Sequence, residues 1–242
     1  MKKILTLLLI SFWSFGQKKI IYERSFDYFK VINKANYLTQ EEKDRMTNTW
    51  RNDKTPKQRL ILTFDDAQSH YTYENQEGKS EDGSYTWRLE DFVVYRNFAE
   101  NKTFELHETL GKSYYIEDEI PQMKWKIGNE IKEVAGYVCM NATMYDSVKK
   151  QKLMAWFSTD IPESVGPERF SGLPGAILEL IVDDEAVVTT AVFIDLKSST
   201  AIPEIPKAKR AKKITNTEFD QLIADYISVQ EKRKQYPWAM RY

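Results

Sequence analysis

Along most of this chain apolar and polar residues alternate with a period of two, the period of a β-strand. In "RLILTF", Leu60, Leu62 and Phe64 fall on one face. "KIIYERSFDYF", "SHYTYE", "DFVVYRNF", "KTFELHETL", "KSYYIED" and "MKWKI" are short runs rich in β-branched and aromatic residues. Asn101, Gly111, Pro121 and Gly128 mark turns between them, a spacing that predicts an antiparallel meander rather than strand–helix–strand units. "NQEGKSEDGS" reads as a polar loop. The clearest alternation is "GYVCMNATMY". It puts Val138, Met140, Ala142 and Met144 on one face and Tyr137, Cys139, Asn141, Thr143 and Tyr145 on the other, and the first face is the expected core side. "KLMAWF" should pair back across "DSVKKQ" as a hairpin. "AILELIV" is apolar on both faces and reads as a central strand, followed after Asp183-Asp184-Glu185 by "AVVTTAVFIDL".

Two segments depart from this pattern. "LTQEEKDRMTNTW" carries a capping box, Thr39 with Glu42, and a thin apolar face of Met46 and Trp50, which predicts a surface helix. Residues 200–214 form a linker with Pro203, Pro206 and the basic run "KAKRAKK". A second capping box, Thr215 with Glu218, then opens a helix over 215–235 whose stripe of Phe219, Leu222, Ile223, Tyr226 and Ile227 should pack on the sheet. The expected fold is mainly β. It is one large curved antiparallel sheet of about ten strands, half-barrel-like, with a short helix in the N-terminal region and an amphipathic helix at the C-terminal end.

Composition narrows the class. "MKKILTLLLISFWSFGQ" joins a basic start, an apolar stretch and small residues Ser14 and Gly16. It predicts a signal peptide over 1–16, cleaved before Gln17, and a periplasmic or secreted protein. Residues 17–242 then form a single β-rich domain, with no further segment apolar enough to span a membrane. Cys139 is the only cysteine, so no internal disulfide can form and packing alone must hold the fold. Aromatic residues make up 13% of the chain, ample for a core, and the net charge of −1 offers no basic field for nucleic acid.

The segment "AWFSTDIPESVGPERFSGLPGAILEL", Ala155 to Leu180, resembles the signature of the GLPGLI family, and "GYVCMNAT" from Gly136 resembles that family's Gly-Tyr-x-Cys strand. The resemblance implies a secreted or periplasmic protein of Bacteroidota-type bacteria with no established biochemical activity. Ala176 stands where that signature has Leu, and Asn141 where a basic residue is common. Read physically, Leu173-Pro174-Gly175-Ala176 predicts a type II turn: proline presets the second position and Gly175 supplies positive φ at the third. Gly172 should let the backbone pass close to a neighbour. Leu173 should point inward, and Phe170 should pack between this corner and the Gly166-Pro167 bend.

Candidate chemistry is sparse. A nucleophilic Cys139 would need a base, and the chain has only His70 and His107. The acidic corners lack the ligand spacing of a calcium loop, and no zinc or phosphate-loop motif occurs. Met140, Met144 and Met154 could share a face as thioether ligands, though methionines more often fill cores. Asp146-Ser147-Val148 resembles a short O-glycosylation acceptor motif. No catalytic residue, metal ligand or cofactor is therefore assigned. The expected function is a non-enzymatic envelope protein that binds an apolar ligand, a peptide or an outer-membrane partner such as a transporter. The residues assigned to binding are Trp125, Trp156, Phe170, Gly172, Leu173, Pro174, Gly175 and Ala176. The alternatives are a hydrolase using carboxylates or Cys139, and a structural accessory to an outer-membrane transporter.

Overall fold

A computed structural model describes residues 16–50, 57–74, 91–205, 207 and 210–237. All but the last residue of the expected signal segment, the polar loop from Asn75 and Trp87 lie outside the described residues. The first half runs β1 (Gln17–Phe26), α1 (Tyr28–Asn33), α2 (Gln40–Trp50), β2 (Gln58–Phe64), β3 (Gln68–Tyr73), β4 (Phe92–Asn97), β5 (Lys102–Thr109) and β6 (Lys112–Glu119). The second half adds β7 (Lys126–Val134), β8 (Tyr137–Asp146), β9 (Gln151–Ser158), β10 (Ala176–Val182), β11 (Val187–Ser198), β12 (Lys212–Ile214) and α3 (Asn216–Lys232).

All twelve strands join one sheet, in the order β12-β6-β5-β4-β3-β2-β1-β11-β10-β9-β8-β7. The sheet is open and half-barrel-like, as expected, with β12 and β7 at its two ends. It is mixed rather than purely antiparallel, because β12 pairs parallel to β6 within the linker that the sequence left unstructured. A third helix, α1, replaces the end of the first expected strand: the Asp27 side chain accepts from the Lys30 amide and caps it. The strand expected over "MKWKI" begins only at Lys126 and runs on to Val134.

Cross-strand register builds the core row by row. Ile20 lies opposite Leu62, Leu62 opposite Tyr71, Tyr71 opposite Val94, Val94 opposite Glu105, Glu105 opposite Ile116 and Ile116 opposite Ile214. These side chains share one face, called here the inner face. The row is apolar except at Glu105. β10 is buried on both faces, as its sequence predicts. α3 keeps the capping box of Thr215 and Glu218 and buries Phe219, Ile223 and Ile227 against Tyr114 and Ile116 of the inner face. On the outer face, Tyr95, Phe104 and Tyr115 are covered by Ile202 and Ala211 of the linker.

β8 departs from the expected pattern. Val138 is 60% exposed and Met140 36% exposed, whereas Cys139 and Asn141 are buried. Cys139 joins the cluster of Tyr22 and Trp156, while Ala142 joins that of Phe157 and Phe170. The strand is thus covered on one face in its first half and on the other in its second. Met144 and Met154 pack in those two different clusters, so no thioether cluster forms.

Candidate functional site

β5 carries the residues that the sequence reading passed over. Its apolar residues Phe104 and Leu106 suggest the core face, yet Thr103, Glu105 and His107 turn inward and are essentially fully buried. A charged side chain survives there only with partners. Glu105 accepts from His107 Nε2 at 2.7 Å and from Thr103 Oγ1 at 3.1 Å, and Arg169 Nε lies 2.9 Å from its carboxylate. Arg169 also donates to Asp220 Oδ1 at 2.9 Å and to Asn216 Oδ1, both on α3. The His107 ring stacks on Phe219 with centroids 4.7 Å apart. One arginine therefore ties the 159–175 connection to both the sheet and the helix.

A second buried pair lies beside it. Arg24 and Glu168 are each 1% exposed and form an ion pair. Arg24 also donates to Thr189 Oγ1 at 3.3 Å and Tyr71 OH at 3.5 Å, and Arg96 Nη2 donates to the Glu168 carbonyl at 2.7 Å. Burial pushes Glu105 up, but Arg169, the His107 hydrogen bond and Arg96 outweigh it and hold this carboxyl well below the usual range. Burial lowers Arg96 to about 10 despite the attraction of Glu105. Cys139 is pushed up to about 11 by burial, and its Sγ meets the Tyr137 carbonyl at 3.5 Å, so the thiol stays protonated.

Residues 168–170, the end of β5, the β6–β7 connection, the β8–β9 hairpin and α3 line a cavity of about 600 Å³. Met123, Met144, Phe170, Phe219 and Ile223 supply apolar walls, and Lys124, Asp146, Lys149 and Arg169 supply charge. Of the residues assigned to binding from the sequence, Phe170 alone lines it. Half-buried Trp125 sits behind, donating from Nε1 to the Ser171 carbonyl at 2.8 Å and meeting the Phe170 ring edge-to-face at 6.2 Å. Leu173 is buried in the same cluster, as expected, while Ala176 belongs to the other. Gly172 and Pro174 are exposed and Gly175 is buried. Trp156 lies in the cluster of Tyr22 and Cys139, with the Lys132 ammonium 4.6 Å from its ring centroid.

The expected type II turn does not close: the Ala176 amide donates to the Ile161 carbonyl at 2.8 Å, and residues 173–175 form a bend. The corner is stitched to the start of the connection instead. Ile177 N donates to Val165 O at 2.9 Å and Gly172 N to Ser164 Oγ at 2.8 Å. The residues that wall the cavity are thereby held by strand β10. A sequence signal for the missed network did exist. It is the polar alternation Thr103, Glu105, His107, Thr109, together with a single arginine in each of two otherwise core-forming strands, Arg24 and Arg96.

His70 offers a test of the burial on the other side of the sheet. Burial lowers its pKa from 6.5 to about 4. A folded-state pKa below the unfolded value means that the unfolded chain takes up the proton first, so stability falls as pH drops from 6.5 toward 4. The loss is on the order of 2–3 kcal/mol. Glu105 adds a loss of the same sign only below its unfolded value of 4.5. Urea unfolding of His70→Gln should be flatter than wild type between pH 6.5 and 4.5. An unchanged slope there would remove His70 as the cause.

A family model described as "Protein of unknown function (Porph_ging)" matches residues 147–179. The match begins in the β8–β9 turn, contains Glu168, Arg169 and Phe170, and ends in β10. No curated protein matches the chain. Among solved structures, PNGF-II in the P21 and C2 space groups is similar, with TM-scores of 0.56 and 0.54 and 12% identity in each case. The alignments cover 86% of this chain but 33% and 32% of those chains, so this chain spans about a third of their length. At that identity the likeness is one of fold.

Proposed function

We propose that this chain is an exported, non-enzymatic binding protein of the GLPGLI type that holds a small amphipathic molecule between the β8–β9 hairpin, residues 168–170 and α3. The cavity carries this reading. Its volume of about 600 Å³ falls in the range of small-molecule sites, and its lining mixes apolar side chains with a few charged ones. The Porph_ging match covers two of its walls in sequence, Ser147–Lys149 in the hairpin and Glu168–Phe170 in the connection. Binding is favoured over hydrolysis because the buried carboxylates Glu105, Glu168 and Glu179 are engaged by Arg169, Arg24 and Lys132. A general acid needs a carboxyl with a raised pKa, and Glu105 is shifted the opposite way. The Cys139 thiol lies outside the cavity lining. Export to the periplasm or beyond rests on the apolar, lysine-led start of the chain, and an outer-membrane protein is the natural recipient of such a ligand.

Native mass spectrometry of protein isolated from the cell envelope tests the reading directly. The expected mass is that of a chain beginning at Gln17 with a small molecule retained. The probe 1-anilinonaphthalene-8-sulfonate, apolar with one anionic group, should displace that molecule and fluoresce. Met144→Trp fills the cavity and should weaken probe binding at least about tenfold, or about 1.4 kcal/mol. A folded Met144→Trp variant that binds the probe as well as wild type would refute the cavity as the site.

A further inference from the structure

The two ends of the sheet are finished differently. β12 is three residues long and leads at once into α3. β7 is nine residues long and pairs with β8 alone. Among the described residues, no backbone hydrogen bond reaches its outer edge from another element. The side chains beside that edge are unusually apolar for exposed positions: Ile131 is 68% exposed, Val138 60%, Ile127 48% and Met140 36%. Register sets Ile131 opposite Met140 and Ile127 opposite Ala142, so these four exposed residues share one face of the sheet. Proteins usually blunt or cover a free edge that carries an apolar stripe. Here a register shift between Ile127 and Ile131 disturbs only the first half of the strand, and pairing with β8 is regular from Ile131 to Val134.

Charge along the strand selects the occupant. Ile131 is flanked by Glu130 and Lys132. If a second copy pairs antiparallel through the same edge, a two-fold axis perpendicular to the sheet makes one residue face its own counterpart. Centring on Glu130, Lys132 or Glu133 would set like charges face to face, which is unfavourable. Centring on Ile131 sets isoleucine against isoleucine and brings Glu130 opposite Lys132 of the second copy on both sides of the axis. Lys132 holds Glu179 within its own chain, and 35% of its side chain remains exposed, so the contact with Glu130 of the second copy would be made beside that ion pair. Met140 and Val138 of both copies extend the apolar contact on the same face. We infer that this chain forms a two-fold dimer through antiparallel β7–β7 pairing centred on Ile131, so that one sheet runs through both copies.

Cysteine cross-linking of the full chain tests both the dimer and its register. Directly opposed residues in an antiparallel pair have Cα atoms about 4.5–5.5 Å apart, within disulfide range. Under mild oxidation Ile131→Cys should run largely as a covalent dimer on a non-reducing gel. Glu133→Cys, which is also exposed but off the axis, should stay monomeric. Buried Cys139 supplies no background. In sedimentation, the unmodified protein should be dimeric and Ile131→Glu monomeric with an unchanged circular-dichroism spectrum. A monomeric wild type at every soluble concentration would overturn the inference. So would cross-linking of Glu133→Cys as efficient as that of Ile131→Cys.

Discussion

Glu168→Gln is expected to lower the free energy of unfolding by about 3–5 kcal/mol, among the largest effects of any single substitution in the chain. The substitution keeps the shape and the backbone carbonyl that receives Arg96 Nη2. It removes the charge opposite Arg24, whose side chain is 1% exposed and also donates to the neutral Thr189 Oγ1 and Tyr71 OH. The guanidinium then stays buried without this carboxylate, which is costly. The loss is therefore a coupling rather than the worth of one contact. Arg24→Met combined with Glu168→Gln removes both charges and should be more stable than Glu168→Gln alone. Urea denaturation of the two singles and the double closes the cycle. A double variant as unstable as the sum of the singles would show that the pair is not what holds residues 166–170 down. The same cycle bears on binding, because Arg169 and Phe170 follow Glu168 directly and form one wall of the cavity.

That network also marks where reading the chain by pattern fails. Patterning locates strands well when one face is apolar and stays covered, and β2, β9 and β10 follow it. The capping boxes at Thr39 and Thr215 are local and form as read. The faces of β5 and β8 are not local properties. They depend on which distant segment lies over them, and a mid-chain connection covers polar positions in β5 because its own Arg169 answers Glu105. β8 changes its covered face halfway along for the same reason: Val138 and Met140 lie near the open end of the sheet and stay exposed among the described residues. Likewise β1 pairs with β11 as well as β2, a closure over more than 150 residues that no short window can reveal. The cavity inherits this difficulty, since its walls come from five separate stretches of chain.

Both glycines of the Gly-Leu-Pro-Gly corner have positive φ, Gly175 near +156° as well as Gly172, but their surroundings differ, and this sets the other large expected effect. Gly172 has φ near +90°, with no atom closer than 3.8 Å to the position of an added Cβ. It supplies conformation, not close approach. Gly175 supplies close approach: a Cβ there would lie 2.1 Å from the Ser158 carbonyl oxygen and 2.7 Å from its carbon. Those are backbone atoms of the last residue of β9, which cannot swing aside as a flexible side chain would. Gly172→Ala should cost about 1–3 kcal/mol, the price of holding an alanine at positive φ. Gly175→Ala should cost more than that, about 4–5 kcal/mol, because β9 and the corner must separate and take with them the Ala176–Ile161 hydrogen bond and the burial of Leu173. Thermal and urea unfolding of the two variants side by side decides the matter. If Gly172→Ala proves the more damaging, the corner is held by its torsion angles, and the packing of β10 against β9 is not what fixes the wall of the cavity.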